Sequence, residues 1–142
     1  MKLLGKVGIF INTRKNVLER KGKMTELLKI QDFDQMYAIM EASFPDDEYR
    51  GYEGQRQLFE NPEYKVFIHR NEETKEIDGF LSAWEFDDIL FFEHFAVSSK
   101  VRNGGIGGRM LREVLAKVNK MTCLEVELPE GELEKRRISF YE

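Results

Sequence analysis

Ile89-Leu-Phe-Phe-Glu-His-Phe-Ala-Val97-Ser-Ser-Lys-Val-Arg102-Asn-Gly-Gly105-Ile-Gly107-Gly-Arg109-Met-Leu111 passes from an apolar segment through a glycine cluster into a segment of helical periodicity. Ile89 to Val97 is aromatic and β-branched enough to read as a strand, with alternating rows Ile89, Phe91, Glu93, Phe95, Val97 and Leu90, Phe92, His94, Ala96. Both rows are mostly apolar, which predicts an interior strand covered by helices on both faces. Beyond the glycines, Ile106, Met110, Val114 and Val118 recur every four residues with Leu111 and Leu115 beside them, while Arg109, Arg112, Glu113, Lys117 and Lys120 face elsewhere. That spacing predicts an amphipathic helix. Gly104, Gly105, Gly107 and Gly108 remove Cβ atoms where its first turn leaves N–H donors without partners, the outline of a phosphate site.

Two common phosphate motifs fail here. No Lys-Ser or Lys-Thr follows the glycines as a nucleotide P-loop needs, and a dinucleotide fingerprint begun at Gly105 meets Met110 where it needs glycine. Arg102, Gly105 and Gly107 do fit R-x-x-G-x-G after a strand, and this resembles the acyl-CoA pyrophosphate loop of the GCN5-related N-acetyltransferase (GNAT) family. The plainer alternative is a glycine-rich turn before a surface helix. The order of elements from Glu26 to Glu142 is also similar to that family. Glu26–Ile30 reads as a first strand, Phe33–Phe44 as a helix closed by Pro45, and Glu53–Glu60 as a second helix. Tyr64–Arg70 and Gly79–Phe86 read as a hairpin across the polar turn 71–76. Thr122–Leu128 reads as a strand, and helix resumes from Glu132 to a Phe140-Tyr141 pair. The resemblance implies an α/β (α+β) fold, a mixed and mostly antiparallel central sheet with helices on both faces. It also implies a closing hairpin that this sequence does not reach, so the last strand is expected to be an open edge, apolar at Leu124, Val126 and Leu128, and the sequence reads as a fragment of a longer gene product, with a shortened homologue that pairs in a homodimer as the alternative.

Composition bounds the rest. With 142 residues, 42% hydrophobic and 11 phenylalanines, the sequence predicts one core, in a domain over residues 24–142. Residues 1–23 carry seven basic residues and only Glu19, a balance of +6, whereas the remainder carries 15 basic and 25 acidic residues, a balance of −10. Scattered charge and a single aromatic, Phe10, argue against a nucleic-acid or membrane-binding leader. Met24 reads as the native start, because Glu19-Arg-Lys-Gly-Lys23 is what a purine-rich ribosome-binding sequence would encode. No stretch resembles an export signal or a membrane span, so cytoplasm is the expected location. A lone Cys123 and two histidines at no metal-binding spacing predict no metal centre.

The resemblance further implies an acyltransferase using acetyl-CoA as acyl-donor cosubstrate, with a small-molecule or peptide amine as acceptor and no nucleic-acid or membrane partner. The alternative is a catalytically inactive CoA-binding regulatory or interaction domain. Glu93, the one charge in its strand row, is expected to be desolvated, with its pKa raised, and the family often places a carboxylate base on this strand. The other reading of Glu93 is a buried carboxylate held by a partner such as Arg102. His94 points to the opposite face in this strand reading, so Glu93 and His94 are not expected in one site. Tyr141 matches the family's general acid, with packing beside Phe140 as its alternative. By the same resemblance, backbone amides of Phe95, Ala96 and Val97 face the thioester. Arg102, Asn103, Gly104, Gly105, Ile106, Gly107, Gly108 and Arg109 face the diphosphate. On the acceptor side the candidates are Asp46, Asp47, Tyr49 and Tyr52 between the first two helices, and Glu125 and Glu127 on the last strand, an acidic set that favours a basic amine.

Overall fold

The computed structural model describes residues 6–11, 24–101, 104–127, 136 and 139–141. Its elements are β1 (Lys6–Ile11), β2 (Thr25–Leu27), α1 (Phe33–Ser43), α2 (Tyr52–Gln57), β3 (Tyr64–Arg70), β4 (Ile77–Glu85), β5 (Ile89–Val97), α3 (Ile106–Val118) and β6 (Met121–Glu127), with single 3-10 turns at Ile30–Asp32, Asp46–Glu48 and Leu58–Glu60. The strands form one sheet in the order β1-β6-β5-β4-β3-β2. Every pairing is antiparallel except β5 with β6, which the crossover through α3 makes parallel.

Each face of the sheet is closed by one main helix. Phe33, Met36 and Met40 of α1 pack with Ile68 and Phe80, all at most 1% exposed, while Leu111 and Val114 of α3 pack on the other face against Phe67, Leu81, Leu90 and Leu124, and Met110 is buried beside Gly79. Burying each such side chain contributes about 1.5–3 kcal/mol, which is why the period of four in α3 locks that helix to the sheet. Local signals set the ends. Phe44, extended before Pro45, stops α1, and Asn119 at φ 51° stops α3 with its N–H on Leu115 O. Asn71 Oδ1 accepts the N–H groups of Glu73 and Thr74, turning the β3–β4 hairpin.

The sheet departs from expectation at both edges. The first strand stops at Leu27, and Ile30 enters a 3-10 turn. At the opposite edge β6 is not open. Residues 6–11 pair with it antiparallel from Lys6 opposite Glu127 to Ile11 opposite Thr122, satisfying the backbone groups that were expected to invite a second copy. The sequence signal for this strand is the alternation of Val7, Ile9 and Ile11, which lies beneath the basic charge of the leader. At the other terminus Arg136 and Ser139–Tyr141 are helical, in keeping with the helix expected there.

Candidate active site

β5 and β6 pair only over Ile89–Phe92 and Met121–Leu124, so from Glu93 onward β5 has no ladder bond to β6 and the two strands diverge. α3 starts beside this opening. Gly105 holds φ +75°, the left-handed conformation that turns the chain into Ile106, and nothing lies within 4 Å of where its Cβ would be. A cavity of about 300 Å3 lies between Phe95, Ala96 and Val97 on one side and Val101, Gly105, Ile106, Gly107 and Gly108 on the other, with Phe140 over it. A Cβ on Gly107 would touch Phe95 and Val97 at 3.5 Å and Phe140 at 3.8 Å, so the bare glycine forms part of the cavity wall.

The chemistry of this wall suits an anion on an apolar tail. Among the described residues no acceptor takes the N–H groups of Ile106, Gly107 or Gly108, which sit at the positive end of a 13-residue helix. Arg109 is exposed in the first turn. Arg112, read from sequence as facing elsewhere, lays its guanidinium over Gly108, with Nη1 3.4 Å from a Cβ placed there. Gly104 is exposed beside the turn, while Arg102 and Asn103 lie outside the described residues.

A β-bulge corrects the two-row reading of β5. Ser82 pairs with His94 and Ala83 with Phe92, leaving Glu93 as the extra residue. Leu90, Phe92 and Phe95 therefore pack toward α3, while Ala96 packs in the α1 cluster and the His94 ring meets Phe44 edge-on, with centroids 5.0 Å apart. Buried Ser82 stabilises the irregularity by accepting the His94 N–H at 3.1 Å and facing its carbonyl at 3.4 Å. Glu93 and His94, expected on opposite faces, thus come together, with Oε2 and Nδ1 3.8 Å apart.

Glu93 is not a lone charge. Arg50, from the loop before α2, grips both its oxygens, Nη2 to Oε1 at 2.6 Å and Nη1 to Oε2 at 3.0 Å. The partner is thus Arg50 where the sequence suggested Arg102. Hydrogen bonding to Glu93 raises the Arg50 pKa further above its ordinary value, against the opposing effect of burial. Gln55, 1% exposed, has Oε1 3.4 Å from Arg50 Nη1 and donates from Nε2 to Tyr64 Oη at 2.6 Å. Burial raises the Tyr64 pKa, keeping the hydroxyl protonated. His94 Nε2 lies 2.7 Å from Glu48 O, and its Nδ1 is buried without a partner.

The remaining candidates divide. Tyr141 packs against Phe95 and Phe140, with ring centroids 6.4 and 5.1 Å away, at the edge of the cavity. Asp46 and Asp47 are exposed in the 3-10 turn, and Tyr49 bonds to Asp46 Oδ1 at 3.3 Å. Tyr52 turns away from the site, its ring against Phe33 and Tyr37 and its hydroxyl on Asp34 Oδ1. Glu125 is exposed on β6 opposite Gly8, and among the described residues the charged partner of Glu93 is Arg50. The side chain of Glu127 lies outside the described residues. Arg50, Gln55 and Tyr64 were missed from sequence, because nothing local marks residues that meet only through the sheet. Among the described residues no group of three His, Cys, Asp or Glu is placed to hold a metal, and no helix is long and apolar enough to cross a membrane.

The sequence pattern of the Acetyltransferase (GNAT) family matches residues 33–142. Among solved structures, a GNAT-family protein from Bacteroides thetaiotaomicron is similar, with 32% identity and a TM-score of 0.73 over 82% of this chain and 68% of its own. The ribosomal-protein-S18-alanine N-acetyltransferase from Escherichia coli shares the fold at a TM-score of 0.64 and 17% identity, over 82% of this chain and 72% of its own. An aminoglycoside 6'-N-acetyltransferase complexed with coenzyme A does so at 0.56 and 19%, over 68% of this chain and 55% of its own. No curated protein matches the sequence. The profile match, the 32% identity and a sheet that opens beside a glycine-led helix agree, and the chain belongs to the GNAT acetyltransferase family.

Proposed function

We propose that the chain is a cytoplasmic N-acetyltransferase that moves an acetyl group from acetyl-CoA to a primary amine. The observation that carries this reading is the cavity between the diverging β5 edge and the start of α3, whose first amides have no acceptor among the described residues. Acetyl-CoA, when bound, supplies the acetyl group as a thioester. The amides of Ile106, Gly107 and Gly108 hold the diphosphate, with Arg109 and Arg112 adding charge and Arg102 and Asn103 completing the loop. The β5 edge at Phe95, Ala96 and Val97 polarises the acyl carbonyl. Glu93 receives the proton that the attacking amine sheds, and Tyr141 protonates the departing thiolate, a phenol of pKa about 10 being matched to a thiol of about 8.5.

One observation favours a second reading, a CoA-binding module without catalysis. Both oxygens of Glu93 are engaged by Arg50, so neither faces a substrate until the guanidinium moves. Thiol release from acetyl-CoA across a broad amine panel separates the two. Transfer is expected with at least one amine, and Glu93→Gln lowers kcat by about a hundredfold while Tyr141→Phe lowers it by about tenfold, the range for general acid and base groups. CoA affinity stays at the wild-type value in both. Binding of CoA with no thiol released from any amine overturns the transferase reading and leaves the binding module.

A further inference from the structure

The Arg50–Glu93 pair opens to solvent, with side chains 37% and 19% exposed, and behind it stands the buried, unpartnered Nδ1 of His94. A carbonyl only accepts, so His94 Nε2, 2.7 Å from Glu48 O, carries a ring hydrogen, and in the neutral ring Nδ1 is a bare lone pair. Glu93 Oε2, 3.8 Å away, is an acceptor as well. Two acceptors facing each other with no hydrogen between them mark a place for a cationic donor. The guanidinium of Arg50 holds Glu93 from the solvent side, where an incoming ammonium group would arrive.

Displacing one member of an ion pair strands the other. A plain amine that takes Glu93 leaves the Arg50 guanidinium without its carboxylate, and a plain carboxylate that takes Arg50 leaves Glu93 bare. A molecule carrying both charges exchanges both partners at once. Arg50 is also anchored apart from Glu93, since Gln55 Oε1 lies 3.4 Å from Nη1 and Gln55 is itself fixed to Tyr64, so the guanidinium stays beside the pair when Glu93 is taken.

Resting on the transferase reading, we propose that the acceptor is a zwitterionic amine of the amino-acid type, whose ammonium group replaces Arg50 on Glu93 and reaches the open His94 Nδ1 while its carboxylate replaces Glu93 on Arg50. One ammonium proton passes to Glu93, and His94 Nδ1, hydrogen-bonded to the same nitrogen, takes a second as the amide forms. The freed lone pair forms the amide C–N bond as the thioester C–S bond breaks, and the thiolate takes its proton from Tyr141. Glu93 and His94 then touch the reacting nitrogen, and Arg50 sets which amines are chosen.

The test uses matched pairs, each an amino acid and its decarboxylated amine: phenylalanine with phenethylamine, lysine with cadaverine, arginine with agmatine. Calorimetry on CoA-loaded protein reads binding, and thiol release from acetyl-CoA reads kcat/KM. Wild type is expected to favour at least one carboxylate-bearing partner by about tenfold or more, the weight of a charge-assisted hydrogen bond, and Arg50→Gln to bring that ratio within about twofold. Arg50→Gln also raises kcat/KM for the plain amine, because nothing competes for Glu93. Arg50→Lys, which keeps the charge and loses the fork, gives an intermediate ratio and reads the proposal even if Arg50→Gln does not fold. Equal use of both partners by wild type, preference for the plain amines, or a ratio unmoved in either variant overturns it. Carboxylate preference in binding with no thiol released removes the transferase reading and keeps the recognition, whereas thiol release without that preference does the reverse.

Discussion

The side of the site proposed for the cofactor is lined by nearly contiguous residues, Phe95 to Val97, Val101 and Gly105 to Gly108, with Phe140 over them, and presents backbone amides and apolar surface. The side proposed for the acceptor joins Arg50, Gln55, Tyr64, Ser82, Glu93 and His94 from separate segments, through side-chain bonds among Arg50, Glu93, Gln55 and Tyr64 and through Ser82 on the His94 backbone. A local site of the first kind depends on turn geometry and the lack of Cβ atoms, so substitution there acts on the ligand more than on the fold. The second kind is part of the core. Gln55, Ser82 and His94 are at least nine-tenths buried, so removing one partner strands another.

The largest expected effect lies on the cofactor side. In Gly107→Trp the indole starts 3.5 Å from Phe95 and Val97 and fills the 300 Å3 cavity, so CoA affinity falls by about a hundredfold or more, roughly 3 kcal/mol by calorimetry. Thermal unfolding stays near wild type, because a Cβ at Gly107 meets its neighbours only at ordinary contact distance. A cooperative loss of folding in Gly107→Trp would make the loop part of the core and erase the contrast with the acceptor side.

Next in size is a buried partner on the acceptor side. Tyr64→Phe removes the oxygen that receives Gln55 Nε2 at 2.6 Å and leaves a buried donor unmatched, at a cost of about 1–3 kcal/mol in denaturant unfolding. CoA affinity is unaffected. The double variant with Gln55→Leu recovers part of the loss, because neither partner is then stranded. Additive losses in that cycle would show that the two side chains are not coupled, and the acceptor side would then be no more a network than the glycine loop.

The same division explains what could be read from the sequence. The glycine loop, α3, β3 and most of β5 were legible because their signals lie within a few residues, namely a period of four, a period of two and Gly at the turn. Arg50 was not, since its meeting with Glu93 spans 43 positions and nothing near it is unusual. The bulge was hidden too. One extra residue at Glu93 reverses every later side chain of β5, and its cause, Ser82, sits on the neighbouring strand. The alternation that makes β1 a strand lies in a segment whose dominant feature is its basic charge.

The smallest effect examines whether the cofactor side rests on backbone alone. At Gly105, φ +75° is unfavourable for a side chain, yet an added Cβ would find nothing within 4 Å, so Gly105→Ala isolates conformational strain from any clash. The expected destabilisation is about 1 kcal/mol, and Gly105→Asn, which tolerates the left-handed region better, loses less. CoA affinity follows the same order, falling a few-fold in Ala and less in Asn, because the strained turn aims the amides of Ile106 and Gly107. Titrating CoA into the three proteins decides the matter. Equal affinity in all three would mean that the loop binds without its glycine conformation, and the diphosphate would then have to be held by Arg109 and Arg112, a side-chain site like the one across β5.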